Sequence, residues 1–233
     1  MLVRDIEKGL GGADQISWNY GPPLDNGALV HLCRHIEPGD APLSVLELGG
    51  GRSTFMWQAM QELGLLSVNV RVLLHDPAAA DDLANRTGES GVVHVHQAGL
   101  KQITDDEWES VFAGGVSAPD IWPELGTSVP REQYYHYTIR NTFYDQVDLP
   151  LARHSVDVLI ADGPHGNGRS LAYPLFGALL KPDALVLVDD FDHYPFLADL
   201  GRLFRYRELY RDIAGDKRWA LVKLQGMVQG REP

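Results

Sequence analysis

The chain has 233 residues, 44% hydrophobic and 22% charged, which suits one α/β domain with additions and excludes a disordered or fibrous chain. Its formal net charge of −12 repels phosphate backbones and argues against a nucleic-acid partner. Cys33 is the single cysteine, which rules out an intrachain disulfide. The charged opening Arg4-Asp5-Ile6-Glu7-Lys8 and the lack of an apolar run near ~20 residues lead to the expectation of a cytoplasmic chain with no membrane partner.

Residues 9–27 are rich in Gly, Pro and Asn around Trp18 and Tyr20 and are expected to be irregular. Residues 1–28 form an N-terminal segment able to act as a lid, ahead of a main domain over 29–233. Asp25 or Asn26 is expected to cap a helix whose Leu29, Leu32, Cys33 and Ile36 make one apolar stripe. Pro38-Gly39 should end it. A strand over 44–48 then leads into Gly49-Gly50-Gly51, and a helix is expected over 54–65. A second strand, 68–74, is cut by Asp76-Pro77; a short helix over 78–84 and a third strand over 91–96 follow.

Residues 97–155 break this rhythm. Thr104-Asp105-Asp106-Glu107 has capping-box spacing and should start a helix. Gly114-Gly115, Pro119, Pro123, Pro130 and the run Tyr134-Tyr135-His136-Tyr137 come after it. A long insertion at the ligand end of a sheet is expected to serve as a lid or a platform for substrate. The alternation resumes with a strand over 156–161, a helix over 170–180, a strand over 184–188 and a helix over 195–204. A final antiparallel pair, 208–213 and 218–224, straddles Gly215-Asp216. Apolar strands separated by amphipathic helices predict a doubly wound, mostly parallel sheet with helices on both faces. Ligands of such sheets bind beyond the carboxyl ends of the strands.

Two such ends stand out. The first is Glu47-Leu48-Gly49-Gly50-Gly51-Arg52-Ser53-Thr54, a strand, a glycine turn and a helix start. Thr54 occupies the place where a dinucleotide fingerprint wants Gly or Ala, and Glu47 suits a cationic or hydrogen-donating ligand better than pyrophosphate. No Lys-Ser/Thr pair follows the glycines, so a Walker loop is absent. The segment resembles the first motif of class I S-adenosylmethionine-dependent methyltransferases, and the order of elements agrees over roughly residues 29–224. That resemblance implies a Rossmann-like seven-stranded sheet with an antiparallel last strand. It also implies S-adenosylmethionine as cofactor. Glu47 would place its methionine end, the backbone of Gly49, Gly50 and Gly51 would face it, and Ser53 and Thr54 would stand at the helix start beside it. Asp76 would hold the ribose hydroxyls, and Asp162 would also reach the cofactor.

The second is the acidic set at the next two strand ends, Asp162-Gly163-Pro164-His165 and Asp189-Asp190. Clustered carboxylates repel and require protonation, basic partners or a hard cation such as Mg²⁺. Asp162 and the pair Asp189-Asp190 resemble the metal-binding positions of divalent-metal-dependent small-molecule O-methyltransferases of sugar and catechol type. His165, three residues after Asp162, is a candidate general base, since imidazole titrates near neutral pH. Arg169 is expected either to clamp an acidic acceptor or to pair with the aspartates. Asp192 is expected to cap the next helix. The His94-x-His96 spacing is a weak zinc signal without a third ligand. Trp18, Tyr20 and Trp57 are candidates for stacking on adenine or an acceptor, against a role in the core.

The expectation is thus an O-methyltransferase acting on a hydroxyl of a sugar, polyol or phenol. Asp162 and His165 are its catalytic candidates, and Mg²⁺ is held by Asp162, Asp189 and Asp190. The alternatives are a metal-independent N- or O-methyltransferase and a cofactor-binding protein without turnover. A homodimer is the expected assembly.

Overall fold

A seven-stranded sheet organises the computed structural model, which describes residues 3–14, 16–20, 24–37, 39–88, 91–136, 139–215 and 217–228. Pro38, Tyr137 and Asp216, to which parts of the reading above refer, lie outside the described residues. The chain opens with α1 (Val3–Ala13) and α2 (Asn26–Arg34). It then alternates through β1 (Leu43–Leu48), α3 (Arg52–Glu62), β2 (Val68–Leu74), α4 (Pro77–Thr87) and β3 (Val93–Gln97). The insertion holds β4 (Leu100–Gln102), α5 (Asp105–Gly114), α6 (Ala118–Ile121), β5 (Thr127–Ser128) and β6 (Thr142–Tyr144). The main sheet is completed by β7 (Val156–Ala161), α7 (Ala172–Phe176), β8 (Leu180–Asp189), α8 (Phe196–Gly201), β9 (Phe204–Arg211) and β10 (Trp219–Met227).

Strand order in the main sheet is β3-β2-β1-β7-β8-β10-β9. β1, β2, β3, β7 and β8 pair in parallel, and β10 runs antiparallel to both β8 and β9. The expected architecture is therefore present. Along β1 the residues alternate between two cores: Val45 packs with the helices α1 to α4, and Leu46 and Leu48 with the insertion, α7 and α8. The chain steps outward from β1 to β3 on one side and from β7 to β8 on the other. The order reverses between β1 and β7, and a crevice opens beyond their carboxyl ends.

Local chemistry explains the first elements. Asp25 caps α2, accepting from the backbone N of Gly27 at 2.7 Å and of Ala28 at 3.4 Å. Leu29, Leu32, Cys33 and Ile36 are buried as the stripe predicts. The N-terminal residues differ from expectation. Where an irregular stretch was expected from residue 9, α1 continues to Ala13, burying Ile6, Leu10 and Ala13 on one face. Two of its glycines, Gly9 and Gly12, allow close packing on α3. A Cβ at Gly12 would lie 2.7 Å from the Ala59 Cβ, and one at Gly9 would lie 2.7 Å from the Met60 Cγ. α1 is thus part of the core rather than a lid.

The insertion is likewise more ordered than a helix and a loop. β4 pairs antiparallel with both β5 and β6 in a second, three-stranded sheet. The capping box is formed: the Thr104 hydroxyl accepts from the Glu107 N at 3.2 Å, and the Glu107 carboxylate accepts from the Thr104 N at 2.7 Å. Phe112, Trp122, Phe143 and Tyr144 are fully buried and dock the insertion against the main sheet. Among the described residues no helix is long and apolar enough to cross a membrane.

The two neighbouring glycines of α1 should respond in opposite senses to alanine. Nothing lies within 4 Å of a Cβ at Gly11, so Gly11→Ala should stabilise by up to about 1 kcal/mol through helix propensity. Gly12→Ala must push α1 from α3 and should destabilise by about 1–2 kcal/mol. Urea denaturation of both variants checks this; equal effects would contradict the packing.

Candidate active site

The crevice is shaped where β1 and β7 end side by side. The Gly49 N donates to the Leu73 carbonyl at 3.0 Å and the Asp162 N to the Leu48 carbonyl at 3.1 Å, so both chains leave the sheet held by backbone bonds. Gly49 has φ +86°, and a Cβ there would sit 3.2 Å from the Asp162 carbonyl oxygen and 3.3 Å from the Gly163 N. Only glycine meets both demands without strain. Above this junction lies a cleft of about 610 Å³. Gly49 and Gly50 line it, as do Asp76, Asp162, His165, Arg169, Asp189 and Asp190. Residues from four strand ends, those of β1, β2, β7 and β8, are thus brought together.

Glu47, Gly51, Ser53 and Thr54 are not among the residues lining that cleft. Glu47 is fully buried beneath the glycine loop. Its carboxyl accepts from the Thr54 hydroxyl at 2.7 Å and from the Ser53 hydroxyl. The Thr54 Oγ1 in turn accepts from the Gly51 N at 3.0 Å. This chain fastens the loop to the start of α3 from behind. Burial pushes the Glu47 carboxyl up to about 7, against the two hydroxyl bonds that favour its ionised form. Gly51 faces Trp18 instead: a Cβ there would lie 3.0 Å from the Trp18 Nε1.

Asp76 closes β2 and caps α4, its Oδ1 accepting from the backbone N of Ala78 at 2.8 Å and of Ala79 at 3.1 Å. Its Oδ2 accepts from the Tyr135 hydroxyl at 3.3 Å. Tyr135 comes from the insertion, which therefore does reach the cleft. His75 was missed by sequence reasoning. It lines the cleft between the rings of Tyr134 and Tyr135, at centroid distances of 5.4 and 5.3 Å. Neither of its ring nitrogens has a hydrogen-bond partner among the described residues. Burial holds its pKa down at about 4, so it is neutral at physiological pH. Its place directly after β2 was the available signal.

The three aspartates do not act as one set. The Asp162 and Asp189 carboxyls share a hydrogen bond; burial first, then the Asp189 charge, pushes Asp162 well above the usual carboxylate range. Burial, then the Asp190 charge, raises Asp189 as well, so the two carboxyls titrate as a pair. Asp189 Oδ1 remains buried with no partner among the described residues. Asp190 has φ +50°, and its carboxylate faces His193 across 3.9 Å. Among the described residues no three His, Cys, Asp or Glu side chains come together in a way that could hold a metal ion. The expected Mg²⁺ site at Asp162, Asp189 and Asp190 does not fit: the three line one cleft, but their side chains are not grouped to hold a cation, and Asp190 turns away toward His193.

Arg169 lines the cleft but forms no ion pair with the aspartates among the described residues. It is buried and donates to backbone carbonyls: Nη1 to Asp189 at 2.7 Å, Nη2 to Asp162 at 3.2 Å and Nε to Pro164 at 3.4 Å. It ties the ends of β7 and β8 together and brings a positive charge beneath the carboxyl pair. Gly168, beside it, allows that turn to lie on β6, where a Cβ would be 1.8 Å from the Thr142 carbonyl oxygen. His165 is half-buried at the cleft wall; burial first, then the Arg169 charge, lowers its pKa. Trp18 and Tyr20 line the cleft, whereas Trp57 is core. Asp192 pairs with Arg218 at 2.5 Å, and α8 begins at Pro195 without a side-chain cap.

No family model matches the chain. No curated protein matches it either. Among solved structures it is similar to a SAM-dependent methyltransferase from Aquifex aeolicus at 10% identity, with 78% of this chain and 81% of that chain covered and a TM-score of 0.42. It is also similar to the SAH-bound methyltransferase PaMTH1 of Podospora anserina, at 12% identity, 94% and 87% coverage and a TM-score of 0.46. A third is the fibrillarin pre-rRNA processing protein of Methanococcus jannaschii, at 11% identity, 82% and 70% coverage and a TM-score of 0.44. At these identities and TM-scores the likenesses carry no weight for function, and the cleft's own residues must.

The buried Glu47 makes stability depend on pH in a defined direction. Its folded pKa, about 7, lies above the ordinary glutamate value of 4.5. Between those values the folded state holds the proton more tightly, so stability falls as pH rises, by about 3 kcal/mol from this group. Glu47→Gln should remove that loss. Thermal unfolding should show the variant gaining on the natural protein between pH 5 and pH 8; a difference independent of pH would contradict a protonated Glu47.

Proposed function

We propose that the protein is an S-adenosylmethionine-dependent methyltransferase acting on a hydroxyl of a small molecule, with His165 as general base and no step routed through a metal. The observation that carries this reading is one cleft at the point of strand reversal, in which a glycine loop, Asp76, the Asp162–Asp189 pair and His165 converge.

The residues present suit such a cofactor. Gly49 and Gly50 offer bare backbone at the cleft floor. Asp76 stands where β2 ends, within reach of a ribose diol. Asp189 Oδ1, buried and without a partner among the described residues, can accept from a ligand's hydrogen-bond donor. The buried carboxyls of Asp162 and Asp189 at the cleft wall favour a cationic or hydrogen-donating group over an anionic one. S-adenosylmethionine, when bound, supplies a methyl group already activated on a sulfonium sulfur. The chain's task is then mainly to place the acceptor in line and to exclude water. Trp18 and Tyr20 on one wall and Tyr194 and Phe196 on another provide apolar area for both. His165, kept neutral by its surroundings, accepts the proton that leaves the hydroxyl.

Calorimetric titration with S-adenosylhomocysteine should show micromolar binding to the natural protein. Once an acceptor is identified from a panel of sugars, polyols and phenols, His165→Gln should lower kcat by about 10²–10⁴-fold and change the S-adenosylhomocysteine affinity by no more than about threefold. Turnover should persist in EDTA. No binding by a folded sample would overturn the cofactor assignment. Full activity in His165→Gln would remove the base, and abolition by EDTA would restore a metal.

A further inference from the structure

The His94-x-His96 pair takes no part in the cleft. Parallel pairing sets Arg71 of β2 beside His94 of β3 and Leu73 beside His96. Arg71, His94 and His96 therefore share one face of the sheet edge, and Asn69 precedes Arg71 by two residues on that same face. On the opposite face Val70, Val72 and Val93 are packed into the core beneath the helices. Asn69, Arg71, His94 and His96 are only half-buried.

The polar atoms of this patch are poorly satisfied. Arg71 Nε, His96 Nε2 and Asn69 Oδ1 are shielded from water, with no hydrogen-bond partner among the described residues. Such groups in a native structure call for a partner. The charges bearing on His96 are those of Arg71 and His94, and on His94 that of Arg71. All are repulsive, in a chain whose net charge is −12. A metal cation is the wrong partner: Arg71 would repel it, and the two imidazoles have no third ligand among the described residues. An anion answers each point. Cross-strand neighbours lie about 4.8 Å apart and same-face neighbours along a strand about 6.6 Å apart, a spacing that lets three basic side chains close on one small tetrahedral or planar group. The guanidinium offers a fork to its oxygens, neutral imidazoles donate N–H, and the Asn69 amide can present its NH₂ end.

We infer that Asn69, Arg71, His94 and His96 form an oxyanion-binding site, for the phosphate or carboxylate group of a small molecule, on the β2–β3 edge outside the cleft. The site stands apart from the cofactor cleft, and its test needs no cofactor.

The histidine ring resonances report directly. The ¹⁵N-labelled protein is titrated at pH 7 with inorganic phosphate and, separately, with acetate, chloride holding ionic strength constant. The expected result is a saturable shift confined to His94 and His96 among the nine histidines. Affinity should fall at least tenfold in Arg71→Ala. Tighter phosphate than acetate binding would mark a phosphate site, and the reverse a carboxylate site. Should Arg71→Ala fail to fold, Arg71→Lys and the double variant His94→Gln/His96→Gln replace it, read by calorimetry with the same two anions. Shifts that never saturate, that spread over all histidines, or that persist undiminished without the Arg71 fork would overturn the site.

Discussion

The close approach of two strand ends governs this molecule. Gly49 leaves β1 with positive φ and lies against the backbone where β7 becomes Asp162 and Gly163. A side chain at that point would meet backbone on the neighbouring strand, which cannot yield as a flexible side chain would. Because the ends are drawn together there, the helices that follow diverge to opposite faces and leave a crevice between them. The Tyr144 hydroxyl, bonded to the Leu73 carbonyl at 3.0 Å, adds the insertion to the same junction. Small disturbances at this point would move the glycine loop, the carboxyl pair and Tyr135's wall at once.

Charge is then distributed around the junction in two layers. Behind the loop, Glu47 is buried with the Ser53 and Thr54 hydroxyls as partners; burial gives it a tendency to keep a proton. In front, the Asp162 and Asp189 carboxyls share a hydrogen bond and are both pushed up by burial, while Arg169 spends its donors on carbonyl oxygens at the strand ends. Bonding an Arg to carbonyls places a charge near carboxylates without closing an ion pair, and so leaves Asp189 Oδ1 available to a ligand. That arrangement favours a cationic guest in the cleft. The β2–β3 edge, with Arg71 and two imidazoles, has the opposite preference.

Much of the fold was legible because its signals are local. Apolar runs without alternation marked the central strands, and Asp25 and Thr104-x-x-Glu107 marked two helix starts. Elements that depend on partners were not legible. α1 reads as glycine-rich and irregular, since what Gly9 and Gly12 accomplish lies on α3. β5 and β6, of two and three residues, are too short for any period and exist through pairing with β4. In the site, position along the chain identified the strand ends that matter, and Gly49, Gly50, Asp76, Asp162, His165, Asp189 and Asp190 do meet. Side-chain direction was not legible. Glu47 turns inward to Ser53 and Thr54, Asp190 turns toward His193 through a left-handed backbone, and Arg169 reaches carbonyls. Strand-end position and the family resemblance pointed to a metal triad, but among the described residues the three carboxylates are not grouped so as to hold one.

The most direct test locates the ligand rather than merely detecting it. Backbone amide resonances of the isotope-labelled protein, followed as S-adenosylhomocysteine is added, should shift most at Gly49, Gly50, Asp76, Ala79, Asp162 and Gly163. Amides of the three-stranded sheet away from Tyr135 should stay still. Shifts centred elsewhere, or none at saturating ligand, would contradict the claim that the junction of β1 and β7 is a cofactor cleft.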